Sequence, residues 1–202
     1  MTEDIRVGVL PRGPFPEVCV FPGVFDPGEV HKITSNLSEW KRTDSRVGGI
    51  DGTQYTAGEI YRDVRSSESL QIFPDHSTRD KIHLLFEQAN LRYGFDLADF
   101  TEYEYLQYED NRGGHFNWHQ DCLSNESRMV RKLSMSIQLS YADKYEGCDL
   151  QFQREDESVT ESDIRLRGTA IVFPSFYYHQ VTPCTKGTRK TLVVWRHGPQ
   201  WR

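Results

Sequence analysis

The 202-residue chain contains no run of about 18 apolar residues, so nothing in it predicts a membrane-crossing helix. Cysteine is scarce: Cys19, Cys122, Cys148 and Cys184 are scattered and form no Cys-x-x-Cys pair. That excludes a zinc ribbon and a disulfide frame. The first residues, Met1 to Arg6, lack the basic and then apolar regions of a signal peptide. Reduced thiols and a cytoplasmic location are therefore expected. Internal repeats and low-complexity tracts are missing too. So is an excess of positive charge, since 24 Lys+Arg against 30 Asp+Glu leave a net charge of −6. This argues against a nucleic-acid polyanion as the main partner. Aromatic residues, at 12%, are too plentiful for a disordered chain. The length suits one domain with its own core, spanning 1–202.

Pro11 to Pro16 reads as an irregular lead-in, followed by a short strand over Val18–Phe21. Asp26-Pro27-Gly28-Glu29 predicts a capped helix start, and Val30, Ile33 and Leu37 recur at helical spacing. Residues 41–76 are polar and read as loop. A second helix is predicted from Ser77, with Asp80 completing a capping box, to a stop at Gly94. From Thr101 the pattern changes to period two. Strands are expected at Thr101–Tyr108, Leu133–Leu139, Asp149–Gln153, Ile164–Arg167, Thr169–Phe173, His179–Val181 and Thr191–Arg196. Arg154 to Asp163 is a charged, solvated loop. The plan is α+β: helical support and strands over 1–100, and a barrel or sandwich over 101–198.

Of seven histidines, His119 and His179 stand apart. His119-Gln120-Asp121 puts an imidazole and a carboxylate two residues apart, on one face if the segment is a strand. His179 follows an apolar strand and an aromatic turn, Phe176-Tyr177-Tyr178. Two histidines and one carboxylate can hold one face of a metal and leave the others open, as in non-haem Fe(II) oxygenases. Arg189 opens the last strong strand, where it shares a face with Thr191, Val193 and Trp195. A buried guanidinium needs an anion and suits a carboxylate bidentately. The alternative is that Arg189 pairs with an acidic side chain at the surface.

These motifs together resemble the Fe(II)- and 2-oxoglutarate-dependent dioxygenases. Within them, the stretch from Tyr108 through Gly113-Gly114-His115-Phe116 to His119 and Asp121 is similar to the prolyl-4-hydroxylase branch, bacterial and phage enzymes included. So is the tail His179-Gln180-Val181-Thr182-Pro183, Gly187-Thr188-Arg189, Leu192 to Trp195. The resemblance runs from about Tyr103 to Gly198. It implies a double-stranded β-helix, or jelly-roll, supported by the N-terminal helices.

The resemblance also implies roles. His119, Asp121 and His179 would bind Fe(II), and Arg189 would hold the far carboxylate of 2-oxoglutarate. Tyr108, Gln138, Thr191, Leu150 and Val181 would line the cosubstrate pocket. Trp195 and Trp118 would lie near substrate, although Trp195 could equally be a core residue. The implied reaction hydroxylates a substrate C–H and releases succinate and CO2, with ascorbate as an accessory reductant. Peptidyl proline is the leading substrate. A free amino acid, a small metabolite, a nucleobase, or a non-catalytic metal-binding module remain as alternatives. Arg62, Arg65 and Arg128 are candidate anion contacts whose expected place is the solvated surface. Cys148 stands where relatives often carry a second glycine. The position six residues after Arg189, an arginine in the nucleic-acid demethylases, is Trp195, against base repair. Oligomeric state is not legible.

Overall fold

In the computed structural model, residues 18–35, 37, 41–47, 60–122, 129–153 and 164–201 are described. The lead-in at 11–16, the charged loop at 154–163 and Arg128 lie outside them. The first helix, α1, spans Pro27–Thr34. Asp26 caps it by accepting from the Glu29 N–H, while the Glu29 carboxylate accepts from the Asp26 N–H, both at 2.8 Å. The second, α2, spans His76–Tyr93, and its cap corrects the expectation of Ser77. Asp75 accepts from the Thr78 N–H at 2.9 Å, whereas Ser77 donates to Asp75 and Asp80 pairs with His76. Asp75 wins because its carboxylate satisfies an otherwise orphaned N–H of the first turn. Gly94 ends the helix with a left-handed φ of 66°.

Among the described residues, twelve strands follow the chain order β1 (Cys19–Phe21), β2 (Thr43–Asp44), β3 (Arg65–Ser66), β4 (Glu68–Gln71), β5 (Thr101–Glu109) and β6 (His115–His119), then β7 (Met129–Gln138), β8 (Tyr145–Gly147), β9 (Leu150–Phe152), β10 (Ala170–Pro174), β11 (His179–Val181) and β12 (Cys184–Pro199). All pair antiparallel. The larger sheet runs β1-β10-β7-β12-β5-β4-β2, with β8 against the start of β12, and the smaller runs β3-β6-β11-β9. The architecture is thus mostly antiparallel sheet with few helices.

Three expectations need correction. Segment 41–76 is not all loop: it contributes β2, β3 and β4, whose polar residues are tied by Arg42–Glu68, Arg112–Glu68 and Arg112–Asp44 ion pairs rather than by an apolar face. Ile164–Arg167 is not a strand but a short turn. Its arginines donate to backbone carbonyls of other segments, Arg165 to Tyr145 and Arg167 to Leu139. The last strand is much longer than Thr191–Arg196.

Alternation along the central strands sorts two faces. On β7, Leu133, Met135 and Ile137 join Leu192 and Val194 of β12 and Tyr103 and Tyr105 of β5 in the main core. Ile82, Leu85, Phe86 and Ala89 of α2, with Val30 and Ile33 of α1, close that core from outside. The opposite, polar face of the same strands looks toward the smaller sheet.

Candidate metal and cosubstrate site

His119 ends β6, Asp121 follows two residues later beyond the strand, and His179 opens β11 directly opposite His119 in the ladder. Adjacent antiparallel strands thereby bring the two imidazoles together, with ring centroids 4.1 Å apart. Asp121 is fixed by its N–H donating to the Ser175 carbonyl at 2.7 Å. Each histidine Nε2 lies 3.6 Å from an Asp121 oxygen. The three possible ligand atoms all fall within 4.8 Å of one another.

The tautomers are determined by what surrounds them. His119 Nδ1 meets the Asn117 carbonyl at 2.7 Å, and His179 Nδ1 meets the Tyr177 carbonyl at 2.9 Å. A carbonyl can only accept, so each Nδ1 donates and each Nε2 keeps its lone pair for the shared centre. Burial, and then the adjacent His179, pull the His119 imidazole down to about 3, so it is neutral at physiological pH. Burial pushes the Asp121 carboxyl up, but His179 and His119, Arg131 and the Trp195 indole outweigh it and bring it to about 2. Ser134 donates to Asp121 Oδ2 at 2.8 Å and shares a hydrogen bond with Ser175. A neutral imidazole at His119 and an ionised, oriented carboxylate at Asp121 are donor states that suit a divalent metal.

The cluster opens into a cavity of about 390 Å³ between the two sheets. Tyr108, Leu150, Val181, Arg189, Thr191 and Trp195 all line it. Arg189 is 3% exposed, and its Nε donates to Gln138 Oε1 at 3.1 Å. Among the described residues no carboxylate pairs with it, and Nη1 and Nη2 have no partner. The surface ion pair considered from sequence is absent among them. A buried guanidinium open on its forked edge is a receptor for an anionic carboxylate. Gln138 is held in turn by donating to Tyr145 Oη at 2.8 Å. Thr191 donates to the Ile137 carbonyl and meets Ser136 Oγ at 2.9 Å.

Other sequence expectations fall differently. Trp118 is 43% exposed and does not line the cavity. Arg62 is exposed and pairs with Asp44. Arg65 is not at the surface: at 8% exposure it lines the cavity, because β3 pairs with β6 and its guanidinium lies over the Phe116 ring, 4.7 Å from the centroid. Cys148 is fully buried with φ 56°, a left-handed conformation that explains a preference for glycine there. Its Sγ faces the Gly114 carbonyl at 3.8 Å rather than the cavity, and burial pushes the thiol up, away from thiolate reactivity. Sequence reading also missed Glu104 and Arg131, which line the cavity. Glu104 was legible in principle: it alternates in register with Leu106 and Tyr108 on β5.

A sequence profile of the 2OG-Fe(II) oxygenase superfamily matches residues 103–197. A PKHD-type hydroxylase of Stenotrophomonas maltophilia (strain R551-3) is 33% identical over 168 residues, covering 79% of this chain and 72% of that protein. A PKHD-type hydroxylase of Shewanella sp. (strain ANA-3) is 29% identical over 180 residues, covering 86% and 75%. Among solved structures, a Pseudomonas putida prolyl-4-hydroxylase superposes with TM-score 0.61 at 18% identity over 88% of this chain and 91% of that one. A Trichoplax adhaerens prolyl hydroxylase, in complex with a hypoxia inducible factor oxygen degradation domain peptide fragment, superposes with TM-score 0.69 at 13% identity over 91% and 84%. At these identities the structural likeness speaks to the fold.

Proposed function

The chain belongs to the 2OG-Fe(II) oxygenase superfamily and is an Fe(II)- and 2-oxoglutarate-dependent hydroxylase; from that premise we propose that it hydroxylates proline within a peptide or protein. The observation that carries the reading is one cavity with the His119, Asp121 and His179 donors at one wall and the unpaired Arg189 at another. Proline as the target is supported by two similar structures being those of prolyl hydroxylases, one of them peptide-bound.

In this reading His119 Nε2, Asp121 and His179 Nε2 hold Fe(II), with ascorbate keeping it reduced. When bound, iron and 2-oxoglutarate would supply the reaction with dioxygen, one oxygen atom of which enters the succinate formed with CO2 and the other the substrate hydroxyl. The protein's part is positioning. Arg189 takes the far carboxylate through Nη1 and Nη2, and Gln138 fixes the guanidinium plane. Tyr108 would offer its hydroxyl to the same ligand, while Leu150, Val181 and Thr191, whose hydroxyl is engaged by the Ile137 carbonyl and Ser136, would line the pocket around it. Asn117 and Tyr177 carbonyls hold the imidazoles in the ligating tautomer, and Ser134 orients Asp121. Trp195 closes the substrate side.

The same proposal takes 1–202 as one domain, with the two sheets forming a jelly-roll and α1 and α2 supporting it. It also makes the enzyme cytoplasmic, in keeping with the absence of a disulfide, and of a helix long and apolar enough to cross a membrane, among the described residues. The test is incubation of Fe(II)-loaded protein with 2-oxoglutarate, ascorbate and a proline-containing peptide pool. Succinate release and a one-oxygen gain on proline are expected. Succinate coupled to a gain on another residue would replace proline as the substrate.

A further inference from the structure

Two charged groups facing the cavity keep hydrogen-bonding sites that no described residue fills. Arg189 is one, and the cosubstrate answers it. The other is Glu104. Its side chain is 13% exposed, lines the cavity and makes no hydrogen bond among the described residues. Its one charged contact is Arg65 Nη2 at 3.6 Å, beyond hydrogen-bond length.

Arg65 has its charge balanced by Glu104 but is held in place by other contacts. Its Nε donates to Ser67 Oγ at 3.1 Å and its Nη1 to the Arg46 carbonyl at 3.2 Å, while its face rests on Phe116. The remaining charges are engaged. Asp44 holds Arg62 and Arg112, Arg131 holds Glu102, and Arg46 has a partner of its own. The vacancy is thus on the acceptor side: a carboxylate paired in charge with Arg65, whose oxygens accept no hydrogen bond among the described residues.

Its position places that vacancy beside the chemistry. Glu104 sits on β5 opposite Val193 of β12 and Gln71 of β4, and it reaches across the cavity to Arg65 on the other sheet. Phe116, beneath Arg65, stacks on the His119 ring with centroids 3.4 Å apart. The Glu104–Arg65 pair therefore lies one aromatic layer from the metal-ligand cluster.

We infer that Glu104 receives a cationic N–H donor carried by the substrate next to its target carbon, so that the enzyme selects positively charged proline substrates. This rests on the proline reading above for what reacts, and on the carboxylate without a hydrogen-bond donor for what is recognised. The cation can be the secondary ammonium of a free or N-terminal proline, or the side chain of an adjacent basic residue. Both bring charge-assisted donors to one carboxylate.

Three probes separate these sources: prolinamide, N-acetyl-lysyl-prolinamide and the neutral N-acetyl-alanyl-prolinamide. Affinities are measured by titration into protein loaded with Mn(II) and 2-oxoglutarate, and KM and succinate release with Fe(II) and ascorbate. One cationic probe is expected to bind at least tenfold more tightly than the neutral one. Glu104→Gln should bring that ratio near one, and Glu104→Asp should keep part of it. The inference is overturned by a wild-type ratio within twofold, by a ratio surviving in Glu104→Gln, or by failure of both cationic probes to bind. Charge-selective binding without succinate or hydroxyproline would sink the proline reading and leave Glu104 in place. Hydroxylation of cationic and neutral probes alike would do the reverse.

Discussion

Replacing Arg189 with methionine separates binding from stability in a way few core substitutions do. The guanidinium is almost wholly buried, makes one hydrogen bond to Gln138, and meets no carboxylate among the described residues. Losing one partner of a buried, hydrogen-bonded charge pair costs about 2–5 kcal/mol. The affinity for 2-oxoglutarate should therefore fall roughly 30-fold to several thousand-fold. Stability without cosubstrate should change little, because an uncompensated buried charge leaves together with the side chain. Calorimetric titration into the Mn(II)-loaded protein reads the first quantity, and thermal melts read the second. At 100 times its Kd the cosubstrate should stabilise the wild type by about 2.7 kcal/mol. For a chain of this size that is about 5–11 °C in Tm. The variant should gain almost nothing at the same concentration. An affinity within threefold of wild type would refute the reasoning. So would a loss of several kcal/mol in the cosubstrate-free variant, since Arg189 would then already be compensated.

Other consequences can be checked more briefly. His179→Ala should abolish bound metal, measured by elemental analysis, together with succinate release. Ser134→Ala should weaken metal binding about 10- to 100-fold while leaving the circular dichroism unchanged, because Ser134 only orients Asp121. Burial pushes the Tyr105 hydroxyl up to about 12 from its ordinary 10. Its stabilising contribution is thus intact below pH 10 and is lost as pH rises toward 12, on the order of 2–3 kcal/mol. Tyr105→Phe should flatten that alkaline decline in a denaturant series. Cys148→Gly should be more stable than Cys148→Ala by about 1 kcal/mol, since both lose the thiol but only glycine is at ease at φ 56°. Equal denaturation midpoints would count against that account.

What was legible in the sequence had an apolar face or a local cap. The strict alternation of Leu133 to Leu139 identified β7 and the polar face that carries Ser134, Ser136 and Gln138. Asp26 and Gly94 marked helix ends through short-range hydrogen bonds that need no tertiary context. The misses are strands held by charges. Thr43–Asp44 and Glu68–Gln71 carry little apolar patterning, because Arg42 and Arg112 from elsewhere complete them. The same blindness put Arg65 at the surface: its burial depends on Phe116 and Glu104, distant in sequence. Trp118 differs in the other direction: as the immediate neighbour of His119 on β6 it takes the opposite face of the strand, outside the cavity.

The placement of β12 also governs how the protein can be made. The last long strand of the chain lies between β5 and β7, pairing along both, and β1 pairs with β10 some 150 residues away. During synthesis, β5 and β7 emerge well before the strand that joins them. Until β12 arrives the large sheet exists as two halves, β1-β10-β7 and β5-β4-β2, each with an open edge inviting the wrong partner. Such long-range pairing folds slowly. A nascent chain interrupted near residue 184 would lack Arg189 and also the continuity of the sheet, so chaperone demand should stay high until β12 has emerged.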